Sequence, residues 1–123
     1  MIRGTVNPRN EIVFRITLRD SQGNPHEFET ILDTGFNGAL TLPSAAIFQL
    51  GLRWASRASG ALADGSIGEF DVYDPTVIWD GALRSITVDV MDTAPLLGMR
   101  LLVGYDLHVR VLDGGQATLT AVP

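Results

Sequence analysis

The sequence predicts a small all-β domain with one or two short helices, because apolar residues recur at every second position between clusters of turn-forming residues. The clearest alternation runs through Ile12, Phe14, Ile16 and Leu18. With 123 residues, 46% of them hydrophobic, the chain fits one domain, 1–123, with one core. No linker or internal repeat divides it. We therefore expect a closed or partly closed barrel.

The first half of the chain is predicted to hold a hairpin, a short strand and a short helix. Residues 11–32 form two extended segments around the turn cluster 20–25, which predicts a β-hairpin. The second segment ends directly on Asp33-Thr34-Gly35, which places that tripeptide where a strand passes into a loop. A short strand at 39–42 is followed by a helix of about two turns at 43–50, which Gly51 closes.

The second half is predicted to be mainly strands. Residues 58–90 have strand character, with turns at 64–66, 74–75 and 80–81. A loop and a short strand follow at 92–98, then one helical turn at 99–103. Two last strands, near 107–112 and 116–122, flank the turn at 113–115.

The composition excludes several classes of function. There is no cysteine, so disulfides and thiol chemistry are absent, and His26 and His108 are too isolated to suggest a metal site. A net charge of −5 without a basic cluster argues against nucleic-acid binding. No long apolar run, basic amphipathic stretch or signal-like apolar segment is present, so we expect no membrane contact and a cytoplasmic location.

Three short motifs carry the chemistry that the sequence suggests. The first is Ile31-Leu32-Asp33-Thr34-Gly35, two apolar residues that lead into an aspartate. The second is the glycine-punctuated stretch 62–68, Leu-Ala-Asp-Gly-Ser-Ile-Gly, between two strand-like segments. The third is Leu96-Leu97-Gly98, which precedes the short helical segment. Each alone is weak evidence, since the first could be an ordinary turn and the third ordinary core sequence. Their order in a chain of this length is more specific.

This ordered set resembles the retropepsin-like (clan AA) aspartic proteases, and most closely their small bacterial single-domain members. The resemblance covers about residues 11–122. It implies a retropepsin-like β-barrel, a single lobe that dimerises, and a cofactor-free aspartic-type endopeptidase. Peptide hydrolysis without a metal needs a base that activates water and an acid that protonates the carbonyl oxygen, which two carboxylates sharing one proton provide. A twofold homodimer supplies that pair by placing Asp33 of each subunit face to face.

The resemblance also implies roles for the neighbouring residues. In the catalytic loop, Asp33 would flank the attacking water, Thr34 would hydrogen-bond across the dimer axis, and Gly35 would allow a close backbone approach. The 64–68 hairpin would be a flap that closes over a peptide or protein substrate. Leu96, Leu97 and Gly98 would support the catalytic loop from beneath. The expected substrate-binding residues are Phe36, Asn37, Asp64, Gly65, Ser66 and Ile67.

Two departures from the family pattern support an alternative. Phe36 stands where alanine or serine is usual, and the flap segment is poor in glycine beside retroviral flaps. The alternative is a non-catalytic binding or assembly module with the same fold.

Other residues are predicted to have structural positions. Ser44 should begin the helix, Trp54 and Trp79 should pack against other residues, and three acids should face solvent. Those acids are Asp71, Asp89 and Asp92.

Overall fold

The computed structural model describes residues 1–61 and 64–123, and its described part is mostly strand. The strands are β1 Ile2–Val6, β2 Ile12–Arg19, β3 Pro25–Leu32, β4 Leu40–Leu42, β5 Trp54–Ala61, β6 Ile67–Tyr73, β7 Thr76–Trp79, β8 Ala82–Ser85, β9 Val88–Val90, β10 Leu96–Leu97, β11 Tyr105–Val109 and β12 Gln116–Ala121. One α-helix, α1, spans Ser44–Leu50, and a 3₁₀ turn spans Met99–Leu102. The all-β prediction with one or two short helices is confirmed.

The strands form one sheet in the order β11-β12-β1-β2-β3-β10-β4-β9-β6-β5, with β7 and β8 branching from β2. Most neighbours are antiparallel, whereas β10 runs parallel to β3 and β9 runs parallel to β4. Over the described residues the path does not close, because β11 and β5 each pair on one side only. Of the two barrel forms expected, the closed one is therefore not seen.

The predicted hairpin and helix are present close to their expected bounds. The turn between β2 and β3 is held by Asp20, whose Oδ1 accepts the backbone N–H groups of Gln22 and Asn24, and Gly23 has a φ of 82°. Helix α1 ends at Gly51, whose φ of 62° lies in the left-handed region and whose N–H donates to the Phe48 carbonyl. Both features have the local hydrogen bonds that their sequences predicted, and the Ser21 N–H also joins the hairpin turn to the Leu50 carbonyl at the end of α1.

The core lies between the curled sheet and α1, and several of its side chains have no exposed surface. These include Phe14, Leu18, Leu40, Leu42, Val77, Leu97, Leu101 and Leu119. Burying each such side chain contributes about 1.5–3 kcal/mol before the entropic cost of ordering. Two buried polar groups are satisfied: the Thr30 hydroxyl donates to the Phe14 carbonyl at 2.8 Å, and Thr41 Oγ1 accepts the Leu96 N–H at 2.9 Å. The second bond ties β10 to β4.

The two tryptophans behave differently. Trp79 is only 5% exposed and packs edge-on against Tyr105, with ring centroids 6.0 Å apart, so its assignment to packing is confirmed. Trp54 is 58% exposed, so the same assignment was wrong for it. Its indole N–H donates to Asp71 at 3.0 Å on the surface of the β5–β6 hairpin, and that bond explains why a tryptophan is accommodated outside the core.

Candidate active site

The aspartate loop is anchored where β3 ends. The Asp33 N–H donates to the Leu97 carbonyl at 3.0 Å, and the Asp33 carbonyl accepts the Phe36 N–H at 3.1 Å. Because β10 runs parallel to β3, with Leu97 beside Leu32, the Asp33 N–H is held by the neighbouring segment, while the Asp33 carbonyl is held within its own loop. The loop therefore presents Asp33 from a rigid support.

The Asp33 side chain is oriented by its own loop. Its Oδ1 accepts the backbone N–H of Gly35 at 2.9 Å, while Thr34 and Gly35 are exposed. A Cβ at Gly35 would lie 3.2 Å from that oxygen, tighter than ordinary contact, so glycine suits the position. The turn interpretation and the catalytic interpretation are thus compatible, because the turn fixes one carboxylate oxygen and leaves the other available.

The Leu96-Leu97-Gly98 motif interlocks with this loop, as expected of a support. The Gly98 N–H donates to the Ala39 carbonyl at 2.9 Å. Beyond it, the Met99 N–H donates to Phe36 at 2.8 Å and the Arg100 N–H donates to Gly38 at 3.1 Å. A Cβ at Gly98 would collide with the Gly38 carbonyl oxygen, so the two segments approach more closely than a side chain permits. The structure thus brings the first and third motifs together.

Phe36 packs within this pair of segments. Its ring is half-buried, and a Cβ at Gly38 would lie 2.5 Å from the ring, while a Cβ at Gly98 would lie 2.6 Å from it. The ring therefore fills space that the two glycines leave open. Asn37 is exposed and lines a shallow depression with Met99, Arg100 and Val103.

The second motif lies on the hairpin of β5 and β6, whose register pairs Gly60 with Gly68. At its turn, Asp64 Oδ1 accepts the Ser66 hydroxyl at 2.6 Å and the Ser66 N–H at 2.9 Å, and these bonds lower the pKa of Asp64. Gly65 has a φ of 85°, and Ile67 is 80% exposed. Leu62 and Ala63 of this motif lie outside the described residues. Within 1–61 and 64–123, no hydrogen bond joins the hairpin to the aspartate loop.

One carboxylate near this site was not recognised from the sequence. Asp89 was expected to face solvent, but it is half-buried on β9, with Oδ2 3.4 Å from the position of a Cβ on Gly38. Burial raises the pKa of Asp89, and the positive charge of Arg100 opposes that rise. The parallel pairing of β9 with β4 sets Asp89 beside Thr41, and its carboxylate approaches Gly38 of the aspartate loop. A lone acid between two valines was the only sequence signal.

Replacing Asp89 by asparagine should stabilise the fold at pH 7. A raised folded-state pKa means that the ionised form costs stability above that pKa, and that the cost disappears below the unfolded value of 3.8. We expect a gain of at most about 1 kcal/mol, since the half-buried group is partly screened. Urea unfolding at pH 7 and pH 3 measures it, and the gain should shrink at pH 3.

The matched control has the opposite sign. Asp92 also was expected to face solvent, and it does so while accepting the Ser44 N–H and hydroxyl, both at 2.9 Å, which lowers its pKa. A lowered pKa contributes stability above 3.8 that is lost as the pH falls. Asp92→Asn should therefore destabilise at pH 7. Equal effects of the two substitutions would contradict the assignment of Asp89 as a buried acid.

The remaining polar residues considered from the sequence lie in a helix start, in a turn or on the surface. Ser44 is the first residue of α1, as expected, with Asp92 as its partner. His26 is paired with Asp20 at 2.8 Å in the hairpin turn, and His108 is exposed on β11. In the described part of the chain, no group of three or more acidic or histidine side chains is arranged to hold a metal ion. No helix described there is long and apolar enough to cross a membrane.

The open all-β sheet and the interlocked aspartate and glycine loops define a retropepsin-like fold, and comparison with solved structures confirms it. The chain is similar to the crystal structure of a retropepsin-like aspartic protease from Rickettsia conorii, with a TM-score of 0.58 and 18% identity. The match covers 98% of this chain and 92% of that one. No protein-family model and no curated protein matches the sequence. The likeness establishes the fold.

Proposed function

We propose that this chain is an aspartic-type endopeptidase, active as a homodimer in which each subunit contributes Asp33. The observation that most supports this proposal is the way Asp33 is held. Its backbone bonds to Leu97 and Phe36, and its Oδ1 accepts the Gly35 N–H. A carboxylate held in this way is pre-organised for proton transfer. We further propose that residues 1–123 form one domain that supplies one lobe of the enzyme.

The chemistry follows from two such carboxylates sharing one proton. The ionised carboxylate takes a proton from water as the oxygen attacks the peptide carbonyl carbon, and the protonated carboxyl donates to the carbonyl oxygen. The resulting neutral diol collapses when the newly protonated carboxyl gives its proton to the nitrogen, the ionised carboxylate takes a proton from one diol hydroxyl, and the C–N bond breaks. The products are a carboxylic acid and an amine, and the shared proton is restored. No metal or covalent intermediate is required.

The neighbouring residues have supporting roles in this proposal. Exposed Thr34 is free to bond across the dimer axis, and exposed Asn37 offers an amide that both donates and accepts to a peptide backbone. The β5–β6 hairpin serves as the flap, with the Asp64–Ser66 turn at its tip and exposed Ile67 available to contact substrate. Phe36, held between Gly38 and Gly98, shapes the floor beside Asp33.

The test is cleavage of a peptide library between acidic and neutral pH by the wild type and by Asp33→Asn. Asparagine keeps the size of the side chain and can still accept the Gly35 N–H, but it removes the general base. We expect cleavage to fall by about 10²–10⁴-fold or to background. Equal melting temperatures would show that folding is retained. Robust cleavage by Asp33→Asn would contradict the proposal.

A non-catalytic binding or assembly module is the second candidate. Phe36 in the aspartate loop and the glycine-poor flap favour it. The distance between the two Asp33 carboxylates in a structure of the dimer separates the candidates. A separation of about 3 Å supports catalysis, because only such a pair shares a proton, whereas carboxylates held far apart support the binding module.

A further inference from the structure

The outward face of three neighbouring strands carries a cluster of basic side chains. β1, β12 and β11 are adjacent in the sheet, and Ala117 and Leu119 of β12 are buried, so Thr118 between them points away from the core. The register places Arg3 of β1 on one side of Thr118 and His108 of β11 on the other. Adjacent strands lie about 4.8 Å apart, so the two basic residues are about 10 Å apart across Thr118.

The neighbouring row of residues extends this cluster. Gln116 lies two positions before Thr118 and also points outward, and its carbonyl accepts the Arg110 N–H, which places Arg110 beside it. A depression of about 390 Å³ opens here, and its lining includes His108, Arg110, Gln116 and Thr118. Among the described residues that line it, none is acidic.

The basic groups of the cluster have no acidic partner in the described part of the chain. Arg3, His108 and Arg110 form no ion pair there, whereas Arg15, on the outward face of β2, is held by Glu27 at 3.2 Å. The chain has a net charge of −5, so this cluster is a local exception to its acidic character. Like charges repel one another, and an anion bound between them would remove that repulsion.

We propose that the depression binds a phosphate group, either as the free ion or as the ester of a small organic molecule. Two guanidinium groups and an imidazole surround it with N–H donors, and a planar guanidinium binds two phosphate oxygens at once. The Thr118 hydroxyl and the Gln116 amide supply further donors between them. A water molecule occupies about 30 Å³ in the liquid, so a depression of this size has room for an organic group beside the phosphate. Leu112, which is 52% exposed, gives that group an apolar wall.

The extent of the cluster favours a compact anion over a long acidic chain. Asp106 precedes His108 by two residues on the same face of β11, so the positive area ends there. On β2, the charge of Arg15 is already balanced by Glu27. A long polyanion would meet these acids, whereas one phosphate group needs only the area around Thr118. Phosphate binding here goes beyond the proposed function and does not depend on peptidase activity.

Phosphate titration followed by amide NMR tests the site. Inorganic phosphate and glycerol phosphate are each added at constant ionic strength, with sodium chloride as the compensating salt. We expect saturable shifts at the amides of His108, Arg110, Gln116 and Thr118, with a Kd of about 1 mM or tighter. Sodium chloride alone should not produce them. Tighter binding of glycerol phosphate would identify an organic ester as the ligand, and tighter binding of inorganic phosphate would identify the free ion.

Substitutions separate this site from a general effect of charge. Arg3→Gln and Arg110→Gln should each weaken phosphate binding by about tenfold or more, because each removes charge-assisted hydrogen bonds. Asp106→Asn should tighten binding by at least about twofold, because it removes a negative charge beside the site. Arg53→Gln is the matched control, since it changes the net charge equally but Arg53 lines a different depression with Arg19. Its affinity should stay within about twofold of the wild type, because salt screens distant charges.

Each outcome supports or overturns the site. The three substituted residues of the cluster are exposed, so their variants should melt as the wild type does in the absence of phosphate. Absence of saturable shifts with both phosphates overturns the proposal. So does equal weakening by Arg53→Gln and Arg110→Gln, or shifts centred instead on the depression that Arg84 and Arg100 line. Because Asp33→Asn should bind phosphate as the wild type does, failure of this site and failure of the proposed function are distinguishable.

Discussion

Replacing Gly98 by alanine should destabilise the chain by about 3 kcal/mol or more. The added Cβ would collide with the Gly38 carbonyl oxygen and would lie 2.6 Å from the Phe36 ring. Backbone atoms cannot move aside as a flexible side chain can. Relief would therefore require separating the two segments, which breaks the Gly98–Ala39 and Arg100–Gly38 hydrogen bonds. Urea denaturation measures the loss.

The same substitution should also reduce any peptidase activity under conditions where the variant remains folded. The Asp33 N–H bonds to the neighbouring Leu97 carbonyl, so a shift of the 96–98 segment moves the aspartate loop. A misplacement of about 1 Å costs on the order of 100-fold in rate. Cleavage assayed well below the melting temperature separates this effect from unfolding.

Gly60→Ala is the matched control. It adds the same methyl group, but the nearest atom is the end of the Phe70 ring at 3.3 Å, which can rotate away. Gly60 lies in β5, where alanine costs no left-handed conformation, so we expect stability within about 0.5 kcal/mol of the wild type. A Gly98→Ala variant as stable as Gly60→Ala would show that the interlock is loose.

Local sequence chemistry predicted the parts of the fold that local chemistry determines. The β2–β3 hairpin follows from strict alternation and an Asp20 turn, and α1 ends where Gly51 permits a left-handed residue. The interlock of the Asp33 loop with Leu97 was expected only through the resemblance to a known fold. The interlock depends on the parallel pairing of β10 with β3, which are distant in sequence. The spacing of residues along the chain does not indicate which distant segments pair.

The features that were not predicted depend on long-range packing. β1 was not identified as a strand, although it lies between β12 and β2, because its short alternating segment includes Gly4 and its stabilising pairs come from both ends of the chain. Asp89 is polar and was assigned to solvent, yet the parallel pairing of β9 with β4 leaves it half-buried, with its carboxylate near Gly38. The penultimate strand was predicted near 107–112, but β11 spans Tyr105–Val109. After Arg110 bonds to Gln116, the chain turns, with the Leu112 N–H bonded to Arg110 and the Gly115 N–H bonded to Leu112.

Mixing wild-type subunits with Asp33→Asn subunits should reduce activity more steeply than dilution. If each active site needs one carboxylate from each subunit, only wild-type pairs are active. With free exchange at fixed total concentration, activity then follows the square of the wild-type fraction. An equal mixture should retain about one quarter of the activity, whereas a site complete within one chain would retain about one half.

The control for this measurement is wild type at a fixed concentration with an unrelated inert protein added in place of Asp33→Asn. That addition should leave wild-type activity nearly unchanged, while adding Asp33→Asn should suppress it. A linear loss with Asp33→Asn would mean that one chain completes the chemistry by itself. Because the chain has a single Asp-Thr-Gly sequence, a second acid from another segment would then be required, and half-buried Asp89, beside the same loop, would be the first residue to substitute.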